Sequence, residues 1–190
     1  MLLAPDTMTA LDFFTDLANT TPSASRTGTD ELPTPEALVE LVTRALYSGR
    51  IDGDQRELDD VLRFRQRIRA VWSLDGEPLV ERINEMLREA NALPFLVRHD
   101  GLDWHLHATS PDAPLAERMS VEAALALSEV VRMDAVARMR VCAADDCDGL
   151  LMDLSRNGSK RFCSVRCSNR VNMIAFRERQ QDRGDDAGRS

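Results

Sequence analysis

The stretch "CAADDCDGLLMDLSRNGSKRFCSVRCSNRVN", residues 142–172, holds all four cysteines of a 190-residue chain. Their spacing is Cys142-x4-Cys147-x15-Cys163-x3-Cys167. Two close pairs so separated suit tetrahedral zinc: each pair bends the chain around one edge of the metal, and the interval leaves room for a hairpin. In that interval "LLMDL" at 150–154 is predicted to pair with "KRF" at 160–162, with residues 155–159 as the turn. Ser164 is a good N-cap, which puts Cys167 in the first turn of a helix, where the positive end of the dipole favours a thiolate. A knuckle, a hairpin and a helix that donates ligands from its start make a treble-clef arrangement. Four thiolates leave no position for water or substrate, so the metal is expected to be structural and to drive the folding of this segment.

Alternatives for the cysteines follow from chemistry. Thiolate number alone does not choose the metal, so an iron–sulfur cluster stands beside zinc. A redox dithiol is disfavoured because neither pair has a two-residue gap. Four independent reduced cysteines are disfavoured because a segment of about 40 residues cannot build an adequate apolar core and needs a staple. Cysteine usage also bears on location. The start, "MLLAPDTMTALDFF", lacks a basic n-region and a long apolar run, which argues against secretion. The expected compartment is the cytoplasm, where an even number of closely spaced cysteines suggests metal ligation more than disulfides. No apolar run approaches the roughly 20 residues that span a bilayer, so no membrane partner is expected.

Upstream, the pattern is mostly helical. "TMTALDFFTDLANT" places Leu11, Phe14, Leu17 and Ala18 at helical spacing, and residues 21–35 read as a loop rich in Pro, Ser, Thr and Gly. Thr34 caps and Pro35 opens a helix whose apolar face runs through Leu38, Leu41, Val42, Ala45 and Leu46 to a stop at Gly49. Helices are predicted at about 55–74, 78–91 and 120–140, the last capped by Ser120 and leading straight into Cys142. Between them, Asp100-Gly101 predicts a two-residue hairpin turn that sets Val97 opposite Trp104, Phe95 opposite Leu106 and Arg98 opposite Asp103. The fold class expected is α+β, mostly α: a helical N-terminal domain with a β-hairpin over 1–138, a small treble-clef-like zinc finger over 139–182, and a polar tail, disordered, over 183–190.

Charge is unevenly placed. The net charge is −8. Residues 1–135 hold 13 Lys and Arg against 24 Asp and Glu, whereas residues 156–179 hold seven basic side chains and one acid, Glu178. At about 100° per residue, Arg166, Arg170 and Arg177 share one stripe of the last helix, beside an apolar stripe of Cys167, Val171 and Ile174 that faces the metal. With Arg156, Lys160 and Arg161 on the hairpin, the arginines form a candidate phosphate-binding surface, and Asn169 and Asn172 can reach base edges. The competing uses are compensation of the negative thiolate cluster, docking onto the acidic body or a protein partner, and solvation. His105 and His107 alternate on one strand face without an evident third ligand and are expected to be exposed hairpin positions. No nucleophile elbow, phosphate loop or dinucleotide fingerprint occurs, so no enzyme is expected.

Over 142–179 the chain resembles the CGNR zinc finger through Asp153, Ser155, Arg156, Asn157, Phe162, Cys163, Ser164, Cys167, Asn169 and Arg170. "LDFFTDLANT", residues 11–20, is similar to the opening helix of the ABATE domain. Ser168 stands where the finger's motif has Gly, and Phe162 where it has Trp; neither is a ligand. The resemblance implies a bacterial, DNA-binding regulator of stress-induced transcription, with a regulatory body and a finger holding structural Zn²⁺. The alternative is a zinc-stabilised protein–protein interaction module without direct DNA binding. A homodimer would suit a DNA regulator; the sequence names no effector.

Overall fold

The structure, a computed structural model, describes residues 3–98 and 104–187. Its elements run α1 (Pro5–Ala18), α2 (Pro35–Arg44), α3 (Gln55–Val71), α4 (Gly76–Glu89), β1 (Phe95–Val97), β2 (His105–His107), α5 (Leu115–Arg132), a 3-10 turn (Val136–Arg138), β3 (Met139–Val141), β4 (Leu150–Met152) and α6 (Val165–Ala187). The α+β, mostly α expectation stands, with two small antiparallel hairpins beside the helices. Among the described residues, no helix is long and apolar enough to cross a membrane.

Helix starts follow their caps. Thr34 accepts from the Ala37 N–H and Asp54 from the Glu57 N–H, each answering a donor that the first turn leaves without a partner. The apolar stripes of α1 to α5 converge on one core in which Phe14, Leu38, Leu58, Ile68, Leu79 and Leu127 are fully buried. The loop 21–33 is fastened to that core by buried Arg65, whose guanidinium donates to both Asp30 carboxylate oxygens at 2.8 and 2.7 Å and to Thr20 Oγ1 at 2.9 Å.

Helix ends depart from the expected ones where a non-glycine residue turns left-handed. α2 stops at Arg44, not near Gly49, because Leu46 takes φ +54° and the Tyr47 N–H closes back on the Val42 carbonyl. Leu46 therefore points to solvent and leaves the apolar face. The helix expected at 120–140 is α5, Leu115–Arg132; Ser120 is a buried interior residue, not its cap. Asp134 at φ +52°, with the Ala135 N–H on the Val130 carbonyl, ends it. The released segment 139–141 becomes a strand, so 150–152 pairs with β3 in the register Met139↔Met152 and not with 160–162.

The first hairpin is slipped by one residue from its expected register: Phe95 pairs with His107, Leu96 with Leu106 and Val97 with His105. The strands are joined through residues 98–104, of which 99–103, with the turn expected at Asp100-Gly101 and with Asp103, lie outside the described residues. The slip moves His105 inward, and it is buried where exposure was expected.

The second hairpin belongs to the core of the body. Leu150 and Met152 join the main apolar cluster, and Leu151 is buried with them. Full burial of each such side chain contributes about 2 kcal/mol. At the end of α1, Asn19 acts as an extra strand residue: its Nδ2 donates to the Leu150 carbonyl at 2.8 Å and its Oδ1 accepts from the Leu150 N–H at 2.7 Å. Trp72 Nε1 donates to the Leu151 carbonyl at 3.3 Å, and Arg69 donates to the Ala18 and Asp148 carbonyls while pairing with the Asp148 carboxylate at 2.8 Å.

Candidate metal centre and basic helix

Strand β3 delivers Cys142, whose N–H donates to the Gly149 carbonyl at 2.7 Å, so the chain closes a tight knuckle over 142–149. Within it the Cys147 N–H donates to Ala144, and the Gly149 N–H lies 3.4 Å from Cys147 Sγ. The Ala143 N–H reaches the Arg161 carbonyl at 2.9 Å, holding the second cysteine pair beside the first. Ser164 caps α6 as expected, its Oγ accepting from the Cys167 N–H at 3.3 Å, and Cys167 is carried in the first turn.

All four sulfurs lie within 4.8 Å of one another. The Cys147–Cys163 and Cys163–Cys167 separations are 3.7 and 3.8 Å. A tetrahedron with metal–sulfur bonds of 2.3 Å has edges of about 3.8 Å, so these separations fit one ion held by four thiolates. A multi-iron cluster would stand between the sulfurs and spread them further. Among the described residues, these four are the one group of three or more ligating side chains close enough to share a metal. Gly149 is required by closeness: a Cβ there would lie 2.7 Å from Cys163 Sγ and 3.2 Å from Cys147 Sγ.

The electrostatics call for a cation. Burial pushes the Cys163 and Cys147 thiols up, and neighbouring sulfurs add to it at Cys163. Burial also opposes ionisation of Cys167, but the hydrogen bond from Ser164 and those from the other cysteines outweigh it and bring that thiol below its ordinary value. Such a set ionises fully only when a metal displaces the protons. Arg170 adds positive charge: its Nη2 donates to the Asp146 carboxylate at 2.5 Å and lies 3.7 Å from Cys167 Sγ.

The loop after β4 is built around Asp153, which is 0% exposed. Its carboxylate accepts from the Ser155 N–H at 3.0 Å, the Ser155 hydroxyl, the Lys160 N–H at 2.9 Å and Arg140 Nη1 at 3.1 Å. Burial pushes this carboxyl up, and the bonds from Ser155 and Lys160 with the Arg140 charge outweigh it, leaving it below the usual carboxylate range. Arg138 Nη1 donates to the Asp153 and Ser155 carbonyls. Asp153 and Ser155 are thus the loop's internal frame, which leaves Arg156 and Asn157 exposed at its tip.

The residues expected to meet nucleic acid fall into two groups. Arg156, Lys160, Arg161, Asn169 and Arg177 are exposed, with Arg161 lying over the Phe162 ring at 5.5 Å. Arg166 and Arg170 have partners inside the chain: Arg166 Nη1 donates to the Arg26 carbonyl of the 21–33 loop, and Arg170 pairs with Asp146 at the metal knuckle. Between that loop and the finger runs a cleft of about 780 Å³ bordered by Asp16, Glu40, Arg44, Arg166 and Arg170. Desolvation in this cleft raises the Asp16 carboxyl. On α6, Cys167 is buried and Val171 half-buried as the metal-facing stripe requires, but Ile174 is exposed, because the helix has passed the finger by that turn. His105 and His107 bring their Nε2 atoms within 3.2 Å on the first hairpin. Sequence reasoning missed Asn19, Arg140, Asp146 and Gly149; only Gly149, next to a cysteine knuckle, left a local signal.

The family described as "Putative stress-induced transcription regulator", ABATE, matches residues 11–140. The CGNR zinc finger matches residues 138–180. A search of curated proteins finds no match to the chain. The finger match and the single-ion sulfur geometry together make the metal structural zinc.

Proposed function

Because the chain belongs to the ABATE family and carries a CGNR zinc finger, we propose that it is a cytoplasmic transcription regulator of the stress response that binds duplex DNA through the finger. Zinc supplies the fold of the finger and no chemistry, and no catalytic role is assigned. The observation that carries the reading is the charge left over after internal pairing. Arg156, Lys160, Arg161, Arg177 and Arg179 stay exposed on a module joined to a strongly acidic body. Five such cations meeting phosphates would give a log affinity against log salt slope of about −4.5. Fluorescence anisotropy of the zinc-loaded chain with a labelled duplex, from low to physiological salt, measures that slope; no binding at low salt would sink the reading.

A second reading, in which the finger docks protein, is favoured by one contact. Arg166 reaches the Arg26 carbonyl, so part of the basic helix already faces the body. An Arg166→Ala variant separates the two. Tighter DNA binding on its release from the body means that the contact restrains the finger, whereas unchanged absence of DNA binding leaves the docking reading alone.

A further inference from the structure

Helix α6 leaves large apolar side chains in water where the finger could have turned them in. Val165 is 76% exposed and Met173 and Phe176 each 51%. At 100° per residue, counted from Val165, Asn169 falls at about 40°, Asn172 at −20°, Met173 at 80°, Phe176 at 20° and Gln180 at 60°. These six share an arc of about 100°, and the three amides are exposed as well. Cys167 and Val171, which face the metal, lie near 200° and 240°, so the arc is on the opposite side of the helix. Arg179, near −40°, borders it on one side and Arg177, near 120°, on the other; Arg166, near 100°, is turned to the Arg26 carbonyl.

We infer that this arc reads A·T base pairs in the major groove, a step that rests on the DNA reading above. Asparagine and glutamine amides match the adjacent acceptor and donor of adenine, and apolar side chains meet the thymine methyl. Arginine and lysine, which match guanine, are missing from the arc among the described side chains and stand on its borders, where the two phosphate walls of a groove run. From Val165 to Phe176 the helix advances about 16 Å, which spans about five base pairs. The strip itself chooses the occupant: three amides between two cationic borders match base edges between phosphates, whereas the acidic body of a second copy would answer the borders alone.

The test uses the full zinc-loaded chain and duplexes of equal length made of alternating A·T, alternating I·C, and A·T with dU replacing dT. I·C shows the minor groove of A·T but the major groove of G·C, and dU removes only the methyl group. The expected result is at least tenfold tighter binding to A·T than to I·C, a several-fold loss with dU, and loss of the preference in N169A/N172A with the salt slope retained. Zinc content of that variant confirms that it folds. Equal affinity for A·T and I·C, or a preference that survives N169A/N172A, overturns the inference and leaves DNA binding standing; no binding to any duplex overturns both. Sedimentation of the protein alone covers the other occupant: a dimer dispersed by Phe176→Ser with DNA affinity unchanged would assign the arc to a second copy and overturn the inference.

Discussion

The two hairpins have three-residue strands and antiparallel pairing, yet they are held by different means. In β3–β4, all of Leu150, Leu151 and Met152 are buried, the Asn19 amide extends the pairing from α1, and the chain at both ends of the knuckle enters the metal site. In β1–β2, Phe95, Leu96 and Leu106 are exposed, and His105 is the one buried strand residue. A short isolated hairpin is marginal in water, so what fixes a ladder this short is what covers it. The finger's hairpin is therefore a joint between body and metal, and the first hairpin is an appendage.

Metal removal should separate them most. On the order of 10 kcal/mol of folding free energy is tied to a structural zinc. Chelation is expected to accelerate amide exchange at Cys142, Ala143 and Cys147 by more than a hundredfold, while amides of α1 to α5 and of Leu96 keep their rates. If Cys142 stays protected without metal, the body alone holds the hairpin and the distinction between its two supports disappears.

Asp153→Ala should come next, at about 3 kcal/mol, because it leaves Arg140 and the Lys160 and Ser155 N–H groups facing an empty buried site. Its carboxyl is held below the ordinary value in the folded chain, so its stabilisation is present above that value and lost as pH falls through the lower folded one. Denaturation of wild type and Asp153→Ala should therefore differ at neutral pH and converge below about pH 4. A gap that persists unchanged at pH 3 would mean that the loss is packing and not charge.

Legibility follows the range of the forces. The stripes of Leu11, Phe14 and Leu17 in α1, the Thr34 cap and the spacing of the four cysteines are local, and each was readable where it stands. The ends of α2 and α5 were not, because Leu46 and Asp134 turn left-handed without the glycine that usually marks such a turn. Strand β3 was hidden for the same reason: "MRV" continues the α5 pattern, and only Asp134 releases it to pair with β4. Asn19 meets Leu150 across 131 residues, and nothing near either announces the other. For the basic helix, periodicity gave the arginine stripe, but only the tertiary fold divides Arg166 and Arg170, which have internal partners, from Arg177, which is exposed.

Asn19→Ala probes the joint from the side of the body. It leaves the buried Leu150 N–H and carbonyl without their side-chain partners, at a cost of about 2 kcal/mol by urea denaturation. Because the knuckle stays closed by the metal, zinc stoichiometry should be unchanged. Loss of zinc together with stability would show that α1 positions the ligands as well as the strand.

The smallest effect is expected at the mirror position of the other hairpin. Leu96 pairs with Leu106 as Arg140 pairs with Leu151, but it is 64% exposed and touches no core cluster. A serine there removes little apolar area that folding had taken from water, so the urea midpoint should move by no more than about 0.5 kcal/mol equivalent. Strand propensity alone would penalise it as much as a serine at Leu151, since both sit mid-strand in three-residue ladders. Equal losses at the two sites would make pairing itself the source of stability. A loss confined to Leu151 assigns it to burial, which is the difference between a hairpin that joins two modules and one that only decorates the surface.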